Sequence, residues 1–154
     1  MTTVACAIIC TASRWPLVRD HILPRVFLEH FDEVVLAGDG EPGRGYRHLA
    51  IPSITGTTLD ALVKRDAAIV ATESEYLFYL SDDHRPLTGS LATLRAFLAD
   101  HRVEALIPAR ITWRENETAT GLQRIELNCG VQDGYCGGHS GVFSREALRL
   151  VPWV

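Results

Sequence analysis

"YLFYLSDDHRPL", residues 76–87, decides how the chain is read. Five apolar and aromatic residues run unbroken to Leu80, as in a strand buried on both faces. The run stops at Ser81, and two adjacent acids follow. Like charges side by side repel, so two carboxylates at the end of a buried strand need a reason. A polar turn, with one Asp capping the next helix, is one such reason.

On either side of this stretch, strand and helix patterns alternate. "VACAIIC" (4–10) is a continuous apolar run and reads as another strand buried on both faces. In the segment that follows, Leu17, His21 and Leu28 fit one helical face, and Pro24 should break or kink it. "EVVLAGDG" (33–40) reads as a second strand ending in an acid between glycines, and "HLAIP" (48–52) as a short third. "TTLDALVKRDAAIVATES" (57–74) reads as a helix capped by Thr57 or Thr58, with Leu59, Leu62, Val63, Ile69 and Val70 near the helical period. Leu91, Leu94, Phe97 and Leu98 mark another helix, and "VEALIPA" (103–109) another buried strand. Residues 110–127 read as a polar hairpin or loop with strand-like ends. "CGVQDGYCGGHSG" (129–141) is glycine-rich and irregular. "SREALRLV" (144–151) opens a helix with Ser144 as cap and Glu146 in the first turn. This order predicts an α/β fold, a three-layer sandwich with a mainly parallel central sheet.

Length and composition agree with that architecture. The chain has 154 residues, 47% hydrophobic and 22% charged, enough for one domain with its own core. A net charge of −4 argues against a non-specific nucleic-acid binder, which would carry a basic stripe, but leaves room for a local basic pocket for a small phosphorylated ligand. No apolar run is long enough to span a membrane. The first segment lacks a basic start and reads as a strand rather than a signal peptide, so a cytoplasmic protein is expected. Cys6 and Cys10 lie about 13 Å apart along one strand, too far for a disulfide. Cys129 and Cys136 could pair in principle and have no zinc spacing. Reduced thiols fit the expected compartment.

In open α/β sheets, ligands bind beyond the carboxyl ends of the strands. "TASR" (11–14), "GDG" (38–40) and "SDD" (81–83) all fall there. Hard carboxylate oxygens suit magnesium or manganese, which take one or two protein carboxylates and complete their shell with substrate phosphates and water. A cation arriving with a diphosphate would also relieve the repulsion between Asp82 and Asp83. Asp39 is either a turn residue or an acceptor for a base or ribose. Arg14, Lys64, Arg65 and Arg85 are either solvated surface charges or, where they face the crevice, partners for diphosphate. Gly137 and Gly138 allow close approach of a ligand to the main chain. His139 is a base, a metal ligand or a satisfied loop histidine.

Taken in order, these pieces resemble the GT-A-fold glycosyltransferases, in particular the inverting family 2-like group. "IICTASR" matches that group's first strand and turn, and "AGDG" its acid-rich second turn. "VKRDAAIVATESEYLFYLSDD" matches the helix and strand leading to its D-x-D motif, and "GGHSGVFSREAL" its later glycine and helix element. The resemblance covers nearly the whole chain. It implies a GT-A (Rossmann-like) fold in a single domain, 1–154, either minimal or lacking the usual C-terminal part. It implies a metal-dependent enzyme that uses Mn2+ or Mg2+ to move a sugar from a UDP- or GDP-sugar to a hydroxyl acceptor. Asp83 would meet the metal, and Asp82 the metal or the ribose. Asp39 would meet the base, and Thr11, Arg14, Arg65, Gly137, Gly138 and His139 would line the substrate site. Ser81 replaces the first acid of D-x-D, Asp66 an Asn, and Ala68 and Ser74 two glycines. The usual E-D base motif does not follow the last helix, so the base falls to Asp133, Glu126 or His139, with Asp133 first.

Two other readings stand beside this one. A non-catalytic sugar-nucleotide or glycan-binding module fits the missing base. A sugar-phosphate nucleotidyltransferase has a related sheet, but it calls for a glycine-rich loop after the first strand, and "CTASRWP" has no glycine. The apolar "LRLVPWV" end suggests a buried contact, as in a homo-oligomer.

Overall fold

The computed structural model describes residues 1–54, 59–106, 110–112, 123–126 and 140–150. A six-stranded sheet forms the middle layer. Its strands are β1 (Val4–Cys10), β2 (Glu33–Gly38), β3 (Arg47–Ala50), β4 (Tyr76–Ser81), β6 (Ala105–Leu106) and β9 (Gly141–Ser144), in the order β3-β2-β1-β4-β9-β6. β1 to β4 are mutually parallel, and β9 runs antiparallel between β4 and β6. A second sheet joins β5 (His84–Pro86), β8 (Gln123–Glu126) and β7 (Arg110–Thr112). β7 and β8 pair antiparallel, which supplies the strand-like ends expected of the polar hairpin.

β1 is buried along its whole length, and its alternating side chains feed two separate cores. Val4, Cys6, Ile8 and Cys10 face one layer of helices. That layer holds α1 (Trp15–Leu17), a π-helical turn (Val18–Ile22), α2 (Leu23–Glu29) and α4 (Ser90–Asp100). Ala5, Ala7 and Ile9 face α3 (Leu59–Ala71) and α5 (Arg145–Leu150). Helices on both faces make the three-layer, Rossmann-like sandwich that the alternating pattern predicts.

Three local readings need revision. The helix after β1 turns Val18, Ile22, Leu23 and Val26 inward, whereas His21 is exposed and Leu28 is 64% exposed. Pro24 does not end it. The Leu23 N–H reaches back to the Val18 carbonyl, and this wide turn sets Pro24 in the first turn of α2, where a missing N–H costs little. In α3 the expected apolar stripe is only partly the inner face: Ile69 packs against the core, but Val70 is 80% exposed, and the buried residues are Lys64 and Ala68. β9 is a strand that the glycine-rich pattern offers no reason to expect. By contrast, α4 buries Leu91, Leu94 and Leu98 as its period predicts. Ser144 caps α5, accepting the Ala147 N–H at 3.1 Å. Thr57 and Thr58 lie outside the described residues.

Candidate functional site

Strand register builds the site. Cys10 pairs with Gly38, and Ile9 with Ser81, so three neighbouring parallel strands end almost level. The first residue beyond each is Thr11, Asp39 or Asp82. A one-residue slip at any of them would turn these groups away from one another.

Thr11 holds Asp82 twice: its N–H donates to Asp82 Oδ2 at 3.1 Å and its hydroxyl at 3.0 Å. Burial nevertheless pushes the Asp82 carboxyl above the ordinary aspartate range, and the neighbouring Asp83 charge adds to the rise. The Thr11 bonds and the Arg14 charge oppose it without cancelling it. Asp83 Oδ1 is buried and accepts no hydrogen bond among the described residues. His84 Nε2 lies 3.8 Å from that oxygen, beyond hydrogen-bond range. His84 is itself buried, with Nδ1 2.9 Å from Ser140 Oγ, which also accepts the Ser81 N–H at 3.2 Å. Ser140, just ahead of β9, therefore buttresses the acidic turn.

Asp39 stands between Gly38 and Gly40, both at positive φ (122° and 146°). A Cβ on Gly38 would come within 2.1 Å of the Cys10 carbonyl oxygen and 2.9 Å of Lys64 Cε, so only glycine fits there. The Asp39 N–H donates to the Cys10 carbonyl at 3.1 Å, and the Ser53 hydroxyl donates to Asp39 Oδ2. Lys64 has no exposed surface. Its three N–H donors meet three acceptors: Cys10 O at 3.1 Å, Ser53 Oγ at 2.8 Å and Asp60 Oδ2 at 2.8 Å. Asp39 Oδ2 lies 3.8 Å away. Sequence reasoning treated Lys64 as a solvated charge or a diphosphate partner and missed Ser53, Asp60 and Ser140. The usable signal for Lys64 was the acid four residues before it, together with alanine-rich strands opposite.

Arg14 ends a 3-10 turn (Ala12–Arg14) after β1, and its charge is felt by Asp82. Arg65 lies over the Tyr79 ring at 4.3 Å. Burial pushes the Cys10 thiol up to about 12, helped by the Asp82 and Asp39 charges, so it stays a protonated, unreactive thiol. Cys6 and Cys10 are both free. Asp133, Gly137, Gly138 and His139 lie outside the described residues, as do Cys129 and Cys136.

The acids fit a divalent cation on their own chemistry. Asp82 and Asp83 offer hard oxygens, and one of them, Asp83 Oδ1, is buried without a hydrogen bond among the described residues. Among the described residues no group of three or more His, Cys, Asp or Glu side chains is placed to hold a metal. Two carboxylates alone suit magnesium or manganese that bring phosphate and water as their other ligands. A cavity of about 1150 Å³ opens at the opposite end of β4 and is lined by Tyr76, Arg102, Glu104, Arg145 and Glu146. Two of its arginines are engaged: Arg102 with Glu146 at 2.5 Å, and Arg145 with Ile69 O at 2.6 Å and Thr72 Oγ1 at 2.8 Å. The underpartnered acids sit at the rim, not in that cavity.

No family model matches the chain, and no curated protein matches it. Among solved structures, it is similar to 2-C-methyl-D-erythritol 4-phosphate cytidylyltransferase from Thermus thermophilus. The TM-score is 0.52 at 12% identity, over 94% of this chain and 72% of that one. The likeness is one of fold. The 4-diphosphocytidyl-2C-methyl-D-erythritol synthase of Anaerococcus prevotii also matches, with a TM-score of 0.44 at 13% identity, over 97% of this chain and 73% of that one. The Rossmann-like three-layer architecture is thus shared with a protein named as a cytidylyltransferase, and the resemblance to the family 2-like glycosyltransferases is not confirmed by these matches. No described helix is long and apolar enough to cross a membrane.

Proposed function

We propose that the rim formed by Thr11, Asp39, Asp82 and Asp83 binds a nucleotide with a divalent cation, and that the reaction is nucleotidyl transfer onto a sugar phosphate. The observation that carries this reading is the placement of an acid pair, with one buried oxygen lacking a hydrogen bond among the described residues, level with the ends of three parallel strands. The fold shared with a cytidylyltransferase supports the same choice among the enzymes of this architecture. A phosphate oxygen of the acceptor attacks the α-phosphorus of a nucleoside triphosphate. The bond from that phosphorus to the bridging oxygen breaks, and pyrophosphate leaves. Asp39 orients the nucleoside, and Arg14 and Arg65 offset phosphate charge. Asp82 and Asp83 hold Mg2+ or Mn2+, which when bound neutralises charge on the phosphates.

Glycosyl transfer from a UDP- or GDP-sugar to a hydroxyl acceptor is the second reading. It is favoured by the turn after β1, a tight Ala12–Arg14 turn without the glycines a triphosphate-cradling loop would use. In that reaction Asp133 takes the acceptor proton. Both readings use one nucleotide site, so one experiment separates them. Nucleoside triphosphates with a panel of sugar phosphates, and nucleotide sugars alone, are incubated with Mn2+ or Mg2+. Pyrophosphate release that requires Asp83 supports nucleotidyl transfer. Nucleoside diphosphate release supports glycosyl transfer. Binding without either product identifies a binding module, and absence of nucleotide binding overturns the site.

A further inference from the structure

We infer that Lys64 is a positioning residue that fixes Asp39, through Ser53 and the Cys10 carbonyl, for recognition of the nucleoside part of the ligand. This rests on the nucleotide reading of the rim and adds a division of labour within it. The phosphate half is Thr11, Asp82 and Asp83, and the nucleoside half is Asp39 and the groups behind it.

The argument starts from the geometry of one ammonium group. A fully buried lysine is costly unless each donor is met and its charge is balanced. Lys64 satisfies both conditions with groups that serve Asp39. Ser53 accepts from Lys64 at 2.8 Å and turns its own proton toward Asp39 Oδ2. Cys10 O accepts from Lys64 and from the Asp39 N–H, both at 3.1 Å. The main chain and the carboxylate of Asp39 are therefore both set from one buried cation. Asp60 Oδ2 takes the third donor, and Asp60 Oδ1 accepts the Ile54 N–H at 2.7 Å, tying the segment after β3 into the same cluster.

The surrounding sequence is shaped for this cation. Ala5, Ala7 and Ala37 on the sheet and Ala68 on α3 keep the side chains between the two layers short, which leaves room for a lysine stem. Gly38 removes the Cβ that would strike that stem. Two carboxylates flank one ammonium, so the cluster as a whole is an acceptor, and the partly exposed Asp39 is its outer edge. A fixed acceptor suits the hydroxyl or amino groups of a nucleoside rather than phosphate oxygens, which it would repel.

The test separates positioning from simple support of the fold. Lys64→Met alone strands two carboxylates, so the variant used is Lys64→Met with Asp60→Asn, which removes one charge of each sign. Binding of CTP, UDP and pyrophosphate, each with Mn2+, is measured by calorimetry on the full chain. The expected result is a loss of about tenfold or more in affinity for CTP or UDP, whichever binds the wild type. Pyrophosphate affinity should hold within about threefold. Asp39→Asn should give the same pattern, and joining it to the double variant should add less than about threefold further, because the groups act as one. An equal loss for pyrophosphate overturns the inference, as does wild-type nucleotide affinity in the double variant. A wild type that binds pyrophosphate but neither nucleotide overturns it too. If none of the three ligands binds the wild type, the nucleotide reading itself fails, and the inference with it.

Discussion

Asp32 and Asp83 have similar side-chain exposure, 29% and 26%, at opposite ends of the same sheet. Asp32, at the amino-terminal end, accepts the Val4 N–H at 2.7 Å and Arg95 Nη2 at 2.8 Å. Burial alone would raise its carboxyl, but those bonds and the Arg95 charge carry it below the ordinary range. Its neighbour Glu33 behaves alike, accepting the Ser74 N–H and hydroxyl and the Glu73 N–H, and is also lowered. At the carboxyl end the balance reverses. Asp82 is raised, and Asp83 keeps a buried oxygen without a hydrogen bond among the described residues. Acids that serve the fold are saturated with donors. An acid pair left short of them keeps its capacity for a ligand, and functional sites are where folds carry such a deficit.

The contrast is broken or sharpened most strongly where the carboxyl rim is fully paired. Lys64→Ala should destabilise the chain by about 3–5 kcal/mol, because Asp60 and Asp39 lose their cation. Denaturant unfolding reads this directly, and a loss under about 1 kcal/mol would mean the buried cluster is not held as described. Next in size is Asp83→Ala. Metal-dependent nucleotide binding should fall at least about a hundredfold, near 2.7 kcal/mol, while unfolding stability holds or rises. Glu33→Ala should do the reverse. It costs about 1.5 kcal/mol of stability from lost charged hydrogen bonds and leaves nucleotide affinity unchanged. A Glu33 variant that weakens binding as much as an Asp83 variant would erase the distinction between the two ends.

The smallest effect is the most diagnostic in sign. The folded-state pKa of Asp82 is above its unfolded value, so its contribution is present below the ordinary 3.8 and lost as pH rises through the folded value. Glu33 is lowered, so its contribution is present above the ordinary 4.5 and lost as pH falls through the folded value. Asp82→Asn keeps an acceptor for Thr11 and removes the charge. It should therefore gain about 0.5 kcal/mol at neutral pH and nothing below about pH 3. Equal gains at both pH values would contradict the assignment.

How much of this was legible in sequence follows from the kind of interaction involved. β1, β2 and β4 could be read because strands buried on both faces are continuous apolar runs, and their ends named Thr11, Asp39 and Asp82. α4 could be read because its inner face is leucine. The inner face of α3 could not, because a periodicity argument ranks lysine as outside, and Lys64 is inside only by virtue of partners on β1, on α3 and after β3. β9 was missed because "GVFS" has weak strand character, and its place comes from pairing with β4 and β6. Ser74, a departure from the glycosyltransferase pattern, is explained by its bonds to Glu33 at the structural end of the sheet.

The most direct test of the acid pair as a cation and nucleotide site is thermal unfolding of the wild type and Asp83→Ala with CTP or UDP, each with and without Mn2+. Ligands that bind the folded state raise its melting temperature. The expected result is a rise of a few degrees or more in the wild type only when nucleotide and Mn2+ are present together, matching a gain of about 1–2 kcal/mol, and none in Asp83→Ala. A nucleotide-induced rise that ignores Mn2+, or that survives in Asp83→Ala, would contradict it.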